Sequence, residues 1–153
     1  MDSHYIHHNP DKVNEPTMSK LFIRLNIFFY RLTAGILGGH LGSATVLLLT
    51  TTGRKTGQAR TVPLRYLRHA DAYMIAASNW GQEKPPAWFN NLVANPTVTI
   101  QVMGKRMTAR TEIAPDDQHA ALYQQFMDAD KRFVDYPKTA RRTIAIVILH
   151  PQP

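Results

Sequence analysis

The stretch Val46-Leu47-Leu48-Leu49-Thr50-Thr51-Thr52-Gly53-Arg54-Lys55-Thr56-Gly57-Gln58-Ala59-Arg60 decides how the rest of the chain is read. Its opening run is apolar or β-branched at every position, and such side chains suit a pleated, buried surface. Gly53 stops the run. Residues 61–69 then alternate, with Val62, Leu64 and Tyr66 on one face and Arg65 among the others. An apolar run, a glycine-bracketed turn and an alternating run together predict two strands of an antiparallel sheet.

Working outward, residues 73–77 form a short buried run. Val98, Ile100 and Val102 alternate with Thr97, Thr99 and Gln101. Met107, Ala109, Thr111 and Ile113 alternate with Arg106, Thr108, Arg110 and Glu112, across a Gly104-Lys105 hairpin turn. Residues 144–149 are almost continuously apolar. About six antiparallel strands in a sheet or barrel follow from this spacing. Two helices interrupt them. Pro85-Pro86 precedes one over 87–94, with Trp88, Leu92 and Val93 placed to pack, and Asn95-Pro96 ends it. Pro115-Asp116-Asp117 opens the other, with Ala121, Leu122, Phe126 and Met127 on its buried side.

Ahead of the strands, Leu21, Phe22, Leu25, Phe28, Phe29 and Leu32 recur at helical spacing, flanked by Lys20, Arg24 and Arg31. This 19–33 helix either packs on the core or rests on a membrane surface; its arginines exclude a membrane span. A glycine-dense connector, 35–42, lacks the spacing of a dinucleotide fingerprint. Residues 1–17 read as a polar, mobile arm, with no secretory signal and with His7-His8 too few to make a metal site. The expected organisation is that arm followed by a single α+β, mainly β domain over 18–153.

The chain has 153 residues, 44% of them hydrophobic and 19% charged, which excludes a disordered chain. It has no cysteine, so disulfide scaffolds, thiolate metal sites and thiol nucleophiles are excluded. Eighteen basic and 11 acidic residues give a net charge of +7. Such a balance invites an anionic partner, whether nucleic acid, a membrane surface or a phosphorylated small molecule. The basic residues concentrate at the 53–60 turn, where Arg54, Lys55 and Arg60 stand with no acid, followed by Arg65 and Arg68. Arginine forks, a lysine point charge and the Thr56 hydroxyl suit phosphate or carboxylate groups. The same residues also fit a solvated hairpin tip. It is no Walker A loop, because the glycine spacing fails. Two further segments have the makings of a site. Residues 76–81 read Ala-Ala-Ser-Asn-Trp-Gly, with small side chains that admit a flat ring. On the 87–94 helix, Trp88 and Asn91 are surface neighbours.

These segments in order, with Pro86-Ala87-Trp88-Phe89-Asn90-Asn91-Leu92, Asn95-Pro96, Tyr30-Arg31-Leu32-Thr33 and Arg142-Thr143-Ile144, resemble the deazaflavin-dependent nitroreductases. That family comprises quinone and nitro reductases that use reduced coenzyme F420 and fold as a split β-barrel of the FMN-binding type. The likeness runs from about residue 28 to residue 151. It implies that Arg54, Lys55, Thr56, Gln58 and Arg60 hold the anionic tail of coenzyme F420. It implies that Ala76, Ala77, Ser78 and Asn79 line the cofactor at a strand end, and that Trp88 and Asn91 border it from the helix. The protein would then need only to bind, orient and exclude water, because the cofactor carries the hydride. The acceptor would be a quinone, nitroaromatic or enone.

The family places several tyrosines near the acceptor. Here that region reads Asp130-Lys131-Arg132-Phe133-Val134-Asp135-Tyr136, so Tyr136 is the candidate proton donor. Phe28, Trp80, Phe133 and Tyr136 make up the expected substrate pocket. The resemblance implies a cytoplasmic enzyme, with peripheral contact to the inner membrane face through the 19–33 helix as an added expectation. The alternatives are FMN as cofactor, a carrier of F420 or an apolar ligand without reductase activity, and nucleic-acid binding. The last ranks lowest because the aromatics sit at core-like positions rather than on a basic face. The oligomeric state is left open.

Overall fold

The computed structural model describes residues 40–41 and 44–153. The 1–17 arm, the 19–33 helix with Phe28, and most of the glycine connector lie outside the described residues. The described strands are β1 (His40–Leu41), β2 (Ala44–Thr52), β3 (Ala59–Arg65), β4 (Leu67–His69), β5 (Ala72–Ala76), β6 (Thr97–Val102), β7 (Lys105–Ile113) and β8 (Ile146–Pro151). The helices are α1 (Ala87–Ala94), α2 (Asp116–Ala129) and α3 (Arg132–Ala140), with a short 3-10 turn at Asn79–Gly81.

Every described strand pair is antiparallel. The pairing runs β3-β2-β6-β7-β8-β5-β4, with β1 also paired to β2. The two ends of this path, β3 and β4, are separated in sequence only by Tyr66. Laid flat, strands 4.7–4.9 Å apart would hold those ends roughly 28 Å from each other. One intervening residue spans at most about 7 Å between its neighbours' Cα atoms. The sheet therefore has to curl, which gives the expected mainly β split barrel. Tyr66 itself donates its backbone N–H to the carbonyl of Thr45 at 3.1 Å. Partner exchange at Tyr66 divides the expected 61–69 strand in two, and this is one reason the described strands outnumber the six expected.

Alternation sorts the strand residues into two cores. Leu47, Leu49, Ile75, Val98, Ile100, Val102, Val147 and Leu149 face the barrel interior with Trp88 and Leu92 of α1. Met74, Ile146 and Ile148, on the opposite faces of β5 and β8, pack under Leu122, Tyr123 and Phe126 of α2 and Phe133 of α3. These strands are thus covered on both faces, which explains the unbroken apolar run near the C-terminus. That last strand lies two residues later than expected. In α1, Val93 faces solvent rather than the core.

Helix α3 was not expected from the sequence, because Pro137 lies inside it. Proline has no N–H to give the carbonyl four residues back, here Phe133. The Tyr123 hydroxyl donates to that carbonyl at 2.7 Å instead. Among the described residues, no helix is long and apolar enough to cross a membrane.

Candidate functional site

The turn between β2 and β3 and the first half of α1 face one another across a cleft of about 630 Å³. Its walls include Gly53, Arg54, Lys55, Thr56, Ala59 and Arg60 from the β2–β3 side, and Ala87, Trp88, Asn90 and Asn91 from α1. The turn is built on Gly53. Its N–H donates to the Gln58 carbonyl at 2.8 Å, and its own carbonyl accepts from Thr56 at 3.2 Å and Gly57 at 2.7 Å. A Cβ at Gly53 would lie 2.8 Å from the Thr56 Oγ1 and 3.2 Å from the Gln58 carbonyl, so any other residue would have to displace the turn's own contacts. Gly57 has φ +67°, a left-handed conformation natural to glycine.

Asn91 ties the turn to α1. Its Oδ1 accepts from the Arg54 backbone N–H at 3.1 Å, and its Nδ2 donates to the Thr51 Oγ1 at 3.1 Å. Both Asn91 and Thr51 are buried, and buried polar groups of this kind fix geometry because leaving them unpaired is costly. Arg54, Lys55 and Arg60 are exposed, and among the described residues no carboxylate pairs with them. Arg60 donates to the Gln58 Oε1 at 3.2 Å, which holds its fork beside the turn. Arg65 and Arg132, by contrast, both pair with Asp130, at 2.8 and 2.6 Å. The Arg132 hydrogen bonds hold the Asp130 carboxyl below its ordinary range, against the opposing effect of burial. Arg54, Lys55 and Arg60 thus bring to the cleft three cations that no described carboxylate neutralises. The α1 N-terminal turn lines the other wall, and its dipole adds to the attraction for an anion.

A second group lies at the end of β5. Ala77 is buried in the barrel core together with Trp88 of the cleft, so the two regions meet through the interior. After Ser78 the chain makes a turn in which Asn79, Trp80 and Gly81 have φ of 47°, 57° and 78°. The Asn79 Nδ2 donates to the Gln82 Oε1 and the Lys84 carbonyl, both at 2.9 Å. The Arg142 guanidinium donates to the carbonyls of Ala77 at 3.0 Å, Ser78 at 3.1 Å and Gln82 at 3.2 Å. Gly81 presses on α3: a Cβ there would meet the Thr139 Oγ1 at 2.3 Å and the Tyr136 ring at 3.0 Å.

Tyr136 lies half-buried on α3, its ring 5.1 Å from that of Phe133. Burial raises the Tyr136 phenol above its ordinary value; Arg132 opposes this and Asp130 adds to it. Its hydroxyl therefore carries its proton at neutral pH. Trp80 is 55% exposed, with the Arg132 guanidinium 5.6 Å over its ring.

Of the residues expected in a site, Arg54, Lys55, Thr56, Arg60, Trp88 and Asn91 share the cleft, with Gln58 bonded to its edge. Ala76, Ala77, Ser78, Asn79, Trp80 and Tyr136 gather instead around the β5 end and α3. Phe133 is 7% exposed and packs against Phe126, Tyr123 and Tyr136. The sequence offered no sign of the roles of Thr51 and Arg142. A hydroxyl or guanidinium bonded to an amide or to carbonyls far along the chain leaves no local pattern.

The family model described as F420H(2)-dependent quinone reductase matches residues 22–151. An F420H(2)-dependent quinone reductase of Mycobacterium tuberculosis is 40% identical over 131 residues, covering 83% of this chain and 88% of the relative. Among solved structures, an F420-H2 dependent reductase is similar at TM-score 0.63 and 29% identity, covering 69% of this chain and 93% of that one. A chain described as a domain-swapped dimer is similar at TM-score 0.66 and 27% identity, covering 83% and 93%. The acid-free cleft and the barrel around it are thus those of a chain that belongs to the F420H(2)-dependent quinone reductase family.

Proposed function

We propose that the cleft between the β2–β3 turn and α1 anchors the phosphate and glutamate tail of coenzyme F420, with the flat ring lying toward the β5 end. Family membership makes the chain an F420H2-dependent oxidoreductase acting on a quinone-type small molecule. The observation that carries the binding mode is the convergence of Arg54, Lys55 and Arg60, without a carboxylate among the described residues, on a cleft of about 630 Å³. That volume lies within the usual range for small-molecule sites. The donor set is cationic and forked, as a phosphodiester and carboxylates require.

Reduced F420, when bound, supplies a hydride. The protein's residues do the rest. Arg54, Lys55 and Arg60 neutralise the tail, with Thr56 and Gln58 as polar neighbours. Asn91 keeps the turn at a fixed distance from α1. Trp88 closes the space between cleft and barrel interior. Ala76 and Ala77 leave room for a flat ring, and Ser78 offers a hydroxyl at its edge, with Asn79 shaping the turn behind it. Trp80 presents an exposed aromatic face to a flat acceptor. Tyr136 holds a proton on its Oη; a quinone that gains a hydride and this proton becomes a hydroquinone.

Nitroaromatics and enones share the flat, electron-poor character and extend the acceptor range. The amphipathic 19–33 segment supports a cytoplasmic reductase resting on the inner membrane face, where apolar quinones partition. The similar domain-swapped dimer supports testing for a dimer in solution. Nucleic acid is a poorer partner, because the free cations line a cleft rather than a broad face.

Quenching of F420 fluorescence on titration with protein, repeated with FMN as competitor, tests the binding mode. Saturable F420 binding that weakens with salt and resists FMN is expected. Displacement by equimolar FMN, or F420 binding unaffected by loss of Arg54 and Arg60, contradicts it.

A further inference from the structure

We infer that Arg142 is a positioning residue for hydride transfer: its guanidinium holds the 77–82 turn in register between the β5 end and Tyr136. The inference rests on the binding mode proposed above and assigns a residue to which that mode gives no role.

Arg142 follows α3, just beyond the left-handed Arg141 that ends it, and reaches back to the segment after β5. It bonds the carbonyls of Ala77, Ser78 and Gln82, all within 3.2 Å, and the adjacent Thr143 carbonyl at 3.4 Å. No carboxylate among the described residues pairs with it. Burial pulls its pKa below the ordinary arginine value, yet it remains a cation at physiological pH. A half-buried cation that spends its donors on the carbonyls of one turn acts as a clasp for that turn.

The turn needs a clasp. Asn79 and Trp80 are non-glycine residues with φ of 47° and 57°, a left-handed conformation that L side chains adopt only at a cost. Its first carbonyls belong to Ala77 and Ser78, at the expected ring edge. Its last left-handed residue, Gly81, touches Tyr136 and Thr139 too closely for any Cβ. One guanidinium thus spans the hydride side and the proton side of the site. The basic turn that holds the tail is a separate element, fixed by Asn91 rather than by Arg142.

Separate anchoring predicts separable effects. In Arg142→Ala, F420 affinity stays within about threefold of the wild type, because the tail anchor is intact. The single-turnover rate of F420H2 oxidation by a quinone falls about tenfold or more, since small misplacement of reacting groups is expensive. Guanidinium chloride at tens of millimolar restores much of that rate, and sodium chloride at equal strength does not. Arg142→Lys keeps the charge but not the fork, and it stays slow. This second variant also carries the test if Arg142→Ala does not fold. An unchanged rate in either variant, parallel loss of affinity and rate, or full activity in Arg142→Lys overturns the inference. If the wild-type protein fails to bind F420 at all, the binding mode itself is at fault.

Discussion

The Tyr123 hydroxyl donates a 2.7 Å hydrogen bond to the carbonyl of Phe133, the acceptor that Pro137 leaves without a helical partner. The bond joins α2 to α3 and fixes the helix that carries Tyr136. Removing the hydroxyl strands a buried carbonyl, which costs about 1–3 kcal/mol. Tyr123→Phe is therefore expected to lower the urea midpoint by that amount of stability. Pro137→Ala returns an N–H to the helix, so its benefit is expected to be larger in the Tyr123→Phe background than in the wild type. Additive effects in this double-mutant cycle would show that the two residues do not share the carbonyl.

The same tyrosine sets an alkaline limit on stability. Burial, reinforced by Tyr136 and opposed by Arg142, pushes the Tyr123 phenol from 10.0 up to about 12. The folded chain thus holds this proton more tightly than the unfolded chain does. The corresponding stabilisation is whole below about pH 10 and is lost as the pH rises through about 12. Denaturant midpoints measured from pH 9 upward are expected to fall, with a shallower fall in Tyr123→Phe. Tyr66 and Tyr136, also raised by burial, account for the slope that remains.

Two glycines of the basic turn are expected to respond differently to alanine. At Gly57 a Cβ meets nothing within 4 Å, so the cost of Gly57→Ala is the φ of +67° alone, about 1–2 kcal/mol. At Gly53 a Cβ collides with the Thr56 Oγ1 at 2.8 Å and crowds the Gln58 carbonyl. Gly53→Ala should displace the turn and weaken F420 binding more than Gly57→Ala does. Fluorescence titrations of both variants check the order; equal losses would mean that the turn's shape does not matter for binding.

Charge removal at the cleft should act on the tail alone. Arg54→Gln and Arg60→Gln are each expected to weaken F420 binding about tenfold, as for the loss of a charge-assisted contact on an exposed group. Each should also flatten the dependence of affinity on salt. Lys105→Gln, on a hairpin remote in sequence from the cleft, serves as the control for net charge. A loss in Lys105→Gln as large as in Arg60→Gln would point to the overall +7 charge rather than to the cleft.

Much of the barrel was legible because alternation is local. Val98, Ile100 and Val102 face inward as their spacing requires, and the 46–60 stretch forms the strand and turn it suggested. Closure was not legible. It depends on Tyr66 changing partners, which only the paired strands reveal. Helix α3 was hidden by Pro137, whose cost is met by Tyr123, fourteen positions earlier in the chain. At the site, the acid-free basic turn stood out because Arg54, Lys55 and Arg60 lie within one short stretch of sequence. The clasp made by Arg142 and the amide bridge of Asn91 to Thr51 did not, because their partners lie 40 or more residues away. Phe133 stands beside Tyr136, as three-residue spacing on a helix requires, and its ring also packs into the core under α2.

The most direct measurement is anaerobic mixing of the protein with reduced F420 and a soluble quinone, followed at the deazaflavin absorbance. The account expects protein-dependent oxidation of F420H2 with one hydroquinone formed per cofactor, and a higher cofactor requirement in Arg60→Gln. Absence of turnover with saturably bound cofactor, or turnover in Arg54→Gln/Arg60→Gln at the wild-type cofactor concentration, would contradict it.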